Sequence, residues 1–104
     1  MAFFFCRLNP PRPDFATTTT DAERTLMRTH AAYLTEKQRA GPVVLFGPVG
    51  DPAGAWGLCI LECADEAEAR AITDNDPTVK SGRGFHYDVH PILSANLRSS
   101  IRQA

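Results

Sequence analysis

No stretch of this chain approaches the roughly 18 consecutive apolar residues of a membrane-spanning helix, so no bilayer span is expected. An excess of one charge is missing too. The formal net charge is -1, which leaves no basic field to hold nucleic acid and no polybasic patch for a membrane surface. The opening MAFFFCRL is too short for a secretory leader and meets Arg7 almost at once, so a cytoplasmic location is expected. Phosphate-loop and dinucleotide fingerprints are absent, because Gly47-Pro48-Val49-Gly50 lacks both their spacing and a following helix. There is no G-x-S-x-G nucleophile motif, and no cofactor is expected. Cysteine is scarce: Cys6, Cys59 and Cys63 make an odd set of three. In a strand, Cys59 and Cys63 stand about 13 Å apart, too far for a disulfide. Their spacing is not a zinc pattern either, so all three read as small buried residues.

What is present suits one domain. The 104 residues are 43% hydrophobic and 22% charged, an ordinary soluble composition. A chain of this length is expected to form a single domain over 1–104, with a core over about 3–91 and a tail over 92–104. FFFCRL (3–8) reads as a strand. NPPRPDFATTT follows, where Pro10, Pro11 and Pro13 exclude helix and favour an extended loop. Thr20-x-x-Glu23 is a capping box that opens a helix running to about Ala40, where Gly41-Pro42 stops it. Leu26, Met27, His30, Ala31, Tyr33 and Leu34 form its expected buried stripe. VVLFGPV (43–49) and AWGLCILEC (55–63) read as a hairpin around the turn residues GDPAG. Asp65-x-x-Glu68 opens a second helix that ends near Asn75-Asp76-Pro77. TVKSGRG is irregular or a single turn, and FHYDVHP (85–91) is the last strand.

The order β-α-β-β-α-β is the split βαβ arrangement of a ferredoxin-like, α+β fold, with a four-stranded antiparallel sheet and both helices on one face. Strand 55–63 offers Trp56, Leu58 and Ile60 on one side and Cys59 and Leu61 on the other. Strand 3–8 is likewise apolar on both sides. Strands of that kind are buried on both faces. The chain has no further element for the second face, so a second copy is the expected cover.

Several segments together carry a resemblance: RPDF near the first loop, LMRTHAAYL on the first helix, FGPVGDPAGAWG across the hairpin and DNDP after the second helix. In order and spacing they resemble the YciI-like (YCII-related) family over about residues 3–91. The resemblance implies a dimeric α+β barrel of ferredoxin-like subunits, and a His–Asp pair in a cleft of each subunit at positions His30 and Asp76. It also implies kinship with cofactor-free enzymes that dehalogenate or rearrange hydroxylated aromatic intermediates. Fold alone does not assign the chemistry.

Each candidate residue has a plain structural alternative. An imidazole at His30, inside an apolar stripe, is placed to act as general acid/base; it is otherwise a core histidine held by a backbone carbonyl. Asp76, which without the resemblance is a turn aspartate before proline, would accept from one ring nitrogen of His30 and fix its tautomer. Arg12, Tyr33 and Trp56 are candidates for binding the substrate: a cation for a carboxylate or phenolate, and two aromatic walls. Their alternatives are an exposed loop arginine and packing side chains. His86, Asp88 and His90 share one strand face, but the outer pair lie about 13 Å apart, so no metal site is expected.

The expected activity is proton transfer with elimination or isomerisation, of lyase or isomerase type, on a small cyclic or aromatic metabolite. The expected partners are a second copy of the chain and that small-molecule ligand. The alternative is a domain that binds a small ligand, or serves as an accessory subunit, without turnover.

Overall fold

The computed structural model describes residues 1–99. Strand β1 spans Ala2–Asn9 and is followed by a single helical turn, α1, at Phe15–Thr18. The long helix α2 covers Asp21–Ala40. Strands β2 (Val43–Val49) and β3 (Trp56–Cys63) form the hairpin, α3 covers Glu66–Asp74, α4 is one turn at Pro77–Lys80, and β4 runs His86–Ile92. The tail expected beyond Pro91 has no regular structure over 93–98, with Leu93 94% exposed; residues 100–104 of it lie outside the described residues.

The four strands form one antiparallel sheet in the order β2-β3-β1-β4, the topology of a ferredoxin-like fold. Local chemistry sets most element ends. At the start of α2, the Thr20 hydroxyl accepts from the Glu23 N–H (3.2 Å), and the Thr20 N–H donates to Glu23 Oε1 (2.9 Å). These two bonds satisfy free amides of the first turn. Gly41, at φ 129°, ends the helix in a conformation closed to most side chains. Asp65 caps α3 by accepting from the Glu68 N–H at 2.9 Å.

The expectation that the region after β1 contains no helix is corrected at one point. The prolines do keep 10–13 out of helix, but Pro13 precedes a turn whose amides bond back to Asp14: Thr17 N–H at 3.0 Å and Thr18 N–H at 3.1 Å. A proline obstructs helix at its own position and in the residue before it, not downstream.

The register assigns side chains to two faces. Phe4, Cys6 and Leu8 of β1 lie opposite Leu61, Cys59 and Gly57 of β3, and all of them face the helices. With Leu34, Val43, Cys63, Ala69, Ile72 and Val89 they make the core. A β-bulge between Val43 and Leu45 inserts one residue into β2. Val43 and Phe46, an odd interval apart, therefore both face the helices, which a regular strand would forbid. The other face carries Phe3, Phe5, Arg7, Leu45, Trp56, Leu58 and Ile60; Phe3 is buried, and the region around Leu45 is open. Leu45 is 52% exposed there.

The buried stripe of α2 differs from the expected one at two positions. Ala31 is exposed, because the helix stands off the sheet beside an open cavity, and Glu23 is buried.

Candidate functional site

His30 lies midway along α2 on the face turned toward the sheet, and it is 8% exposed. Its ring meets Asp76, which is 0% exposed. Nδ1 of His30 lies 2.8 Å from Asp76 Oδ2 and 3.0 Å from Oδ1. Asp76 comes to this position as the N-cap of α4. Its Oδ1 accepts from the Thr78 N–H (2.9 Å) and the Thr78 hydroxyl (2.8 Å), and Pro77 occupies the first helical position, where no amide is needed. From β4, the Tyr87 hydroxyl donates to Oδ2 at 2.6 Å.

These contacts define protonation. Burial by itself would raise the pKa of Asp76, since it disfavours the charged form. The hydrogen bond and charge of His30, the Tyr87 hydroxyl and the Thr78 amide outweigh burial, and the carboxyl sits below its ordinary range. Asp76 is an anion, so Nδ1 carries the proton and donates it. The phenol of Tyr87 is pushed far up, by burial first and then by the charge of Asp76, and stays a donor.

The second ring nitrogen, Nε2, has no hydrogen-bond partner among the described residues, yet no buried side-chain nitrogen or oxygen there lacks one. Nε2 therefore reaches open space. His30 stands in the wall of a cavity of about 280 Å³ between α2 and the helix-side face of the sheet. Phe15, Met27, Leu34, Phe46 and Phe85 supply much of the remaining wall. No charged side chain lines it among the described residues. The result is an apolar pocket with a histidine ring in its wall, a usual design for binding a small ring.

The other candidates take different places. Arg12 is held by α2: Nη1 and Nη2 donate to both oxygens of Glu23, at 2.8 and 2.7 Å, and Nε donates to the Thr18 hydroxyl at 2.8 Å. It lines a second hollow of about 240 Å³, with Arg7, Asn9 and Pro13, outside the wall that holds His30. Tyr33 also stands outside that wall, its hydroxyl donating to the Ile72 carbonyl at 2.6 Å. Trp56 borders both hollows. Its indole N–H donates to Asp51 (3.1 Å), its ring meets Phe5 edge-on, and Arg7 lies 4.4 Å over it. Of these three, only Trp56 also borders the cavity with His30, while its ring packs with Phe5 and Arg7 of the opposite sheet face. Sequence reasoning assigned no site role to Tyr87 or Thr78. The Thr after Asp-Pro had a local signal, the habit of a capping aspartate of bonding two residues on; Tyr87 had none.

Two further groups stand apart from the His30–Asp76 pair. Cys6, Cys59 and Cys63 are free and buried. Burial first, then neighbouring charge, pushes Cys6 and Cys59 up to about 12, so neither is a nucleophile at neutral pH. His86, Asp88 and His90 are exposed on β4, and no cluster of three metal-ligating side chains occurs among the described residues.

The model of the YCII-related domain matches residues 3–93. Among solved structures, the chain is similar to a 5-chloro-2-hydroxyhydroquinone dehydrochlorinase (TftG) from Burkholderia phenoliruptrix AC1100, solved in complex with 2,5-dihydroxybenzoquinone. The TM-score is 0.58 and the identity 21%, over 84% of this chain and 90% of that one. No functionally curated protein matches the chain. No helix among the described residues is long and apolar enough to cross a membrane.

Proposed function

Since the chain belongs to the YCII-related family, we propose that it is a small enzyme that performs acid/base chemistry of the lyase or isomerase type on an uncharged, hydroxylated cyclic or aromatic metabolite. The observation that carries this reading is the His30 ring, held through Nδ1 by a buried anionic Asp76 in the wall of an apolar cavity.

The lone pair of Nε2 takes a proton from a ring hydroxyl or an activated ring carbon. The electron pair left behind moves into the ring. It then either expels an anionic leaving group, which is elimination, or is reprotonated at another carbon by the imidazolium, which is isomerisation. Asp76 stabilises the imidazolium formed in between. Proton transfer of this kind contributes about 10²–10⁴-fold, enough for a substrate already prone to react.

The cavity wall favours the substrate class. A carboxylate or phosphate would lose its hydration there and meet no cation, at a cost of several kcal/mol (order of magnitude), whereas a neutral ring gains from burial. The structurally similar dehydrochlorinase was solved with a small hydroxylated ring compound, which supports the ring class. A second copy of the chain would cover the apolar sheet face that Leu45, Leu58 and Ile60 leave open.

The test is a thermal-shift screen of hydroquinones, lactones and their carboxylated analogues, followed by turnover assays of the hits. Turnover that disappears in His30→Ala is the expected result. Binding without turnover would favour the accessory-domain reading, and binding confined to the carboxylated compounds would overturn the substrate class.

A further inference from the structure

We propose that Tyr87 is a positioning residue of the His30–Asp76 pair: its hydroxyl fixes the Asp76 carboxylate against the sheet and tempers it as an acceptor, so that it sets how strongly Nε2 of His30 draws a proton. The inference rests on the acid/base reading of the pair, but its test requires no turnover.

The division of donors around Asp76 leads to this role. Oδ1 is held by the amide and hydroxyl of Thr78, two residues away in the same cap. Those two bonds are local to α4 and do not themselves tie the carboxylate to the sheet. Oδ2 accepts from Tyr87 at 2.6 Å, and Tyr87 belongs to β4, whose inner face helps form the cavity floor. Among the described residues, the Tyr87 hydroxyl is the donor that ties this carboxylate to the sheet. His30 then approaches Oδ2 at 2.8 Å from α2. α4, α2 and β4 are thereby joined at one oxygen atom.

That sharing has an electronic consequence. A carboxylate oxygen that already accepts a hydroxyl is a weaker acceptor for a second donor. Tyr87 and His30 compete for Oδ2, so the phenol limits how far Asp76 pulls on the Nδ1 proton. A harder pull would make Nε2 a stronger base; a softer one would make it weaker. The Tyr87 side chain therefore tunes His30 through Asp76, and it holds its own proton throughout because burial and the nearby anion disfavour the phenolate.

The experiment is proton NMR of the ligand-free protein with ¹⁵N-labelled histidine rings, following the His30 Nδ1–H signal. In Tyr87→Phe the signal is expected to move downfield, because Asp76 then accepts more strongly from His30. A second series keeps the tyrosine. The chain has two tyrosines, so in a Tyr33→Phe background Tyr87 is the sole site for 3-fluorotyrosine, whose more acidic hydroxyl donates more strongly. There the signal is expected to move upfield relative to the same background with ordinary tyrosine. If Tyr87→Phe does not fold, the fluorotyrosine series decides alone. A His30 Nδ1–H signal at one position throughout would overturn the role, even if Tyr87→Phe also lowered activity. The expected displacements in a protein that turns over no ring compound would support the positioning role and remove only the proposed function.

Discussion

One carboxylate oxygen of Glu23 serves two partners at once: Oε1 accepts from the Thr20 N–H of its own capping box at 2.9 Å and from Arg12 Nη2 at 2.7 Å. The first turn of α2 and the proline loop before it are thereby fastened at one atom. Phe15, which walls the cavity, sits in the segment between them.

This fastening predicts an acid-sensitive stability. The Arg12 hydrogen bond first, then the Thr20 amide, hold Glu23 at about 2. Asp76 is also depressed, as its hydrogen bonds outweigh burial. A carboxylate whose folded value lies below its unfolded one binds fewer protons in the folded state, so its stabilisation is complete above the unfolded value, about 4. That contribution is lost as pH falls through the folded value. Urea unfolding at a series of pH values should show stability falling from about pH 4.5 towards pH 2. Glu23→Gln should flatten part of the fall. An unchanged slope in that variant would contradict the role of Glu23.

Asp76→Ala should destabilise the fold more than His30→Ala. Removing Asp76 leaves Thr78, Tyr87 and the His30 ring facing a buried void with no acceptor, whereas removing His30 leaves Asp76 with its other donors. A buried hydrogen-bonding group left without its partner costs about 1–3 kcal/mol, and Asp76→Ala leaves several such groups unpaired. Equilibrium denaturation of the two variants checks the order.

For catalysis, Asp76→Asn is the better probe because it keeps the volume. An amide that presents its NH₂ to Nδ1 favours the wrong tautomer, so the rate should fall by about 10²–10⁴-fold with KM changed little. Steady-state kinetics on whichever ring compound the screen identifies gives both constants; a loss confined to KM would point to binding alone.

Gly54→Ala tests the loop that closes the second hollow. Gly54 has φ 137°, and a Cβ there would lie 2.5 Å from the Pro13 carbonyl oxygen. Strain of this kind costs about 1–3 kcal/mol, and relief requires the 50–55 loop to move away from Pro13. Gly41→Ala, also at positive φ but with nothing within 4 Å, isolates the backbone part of the cost. The difference in urea midpoint between the two variants measures the close approach.

The open sheet face predicts self-association. Light scattering at micromolar concentration should give the mass of two chains for the wild type. Ile60→Glu places a charge at the middle of that face, opposite Leu45 and Phe5, and should give the mass of one. A monomeric wild type would remove the pairing.

Much of the architecture was legible before any coordinates. Thr20 with Glu23, and Asp65 with Glu68, mark helix starts through bonds spanning three residues, and period-two alternation placed Phe4, Cys6 and Leu8 on one face. The bulge in β2 was not legible, since nothing in VVLFGPV distinguishes seven regular residues from six plus an insertion. Nor was the burial of Glu23, which follows from an arginine eleven positions away.

The sequence by itself determined the order of the main elements and which residues of β1 and β3 share a face, because capping and periodicity act between residues a few positions apart, and its likeness to a family pointed to His30 and Asp76. Only the tertiary structure decided that these two meet across 46 residues, that Tyr87 joins them, and that Arg12 and Tyr33 stand outside the cavity wall. Those contacts depend on how α2, α4 and β4 pack against one another. No local rule contains that information, because the closing of long loops around a shared core is a property of the whole chain.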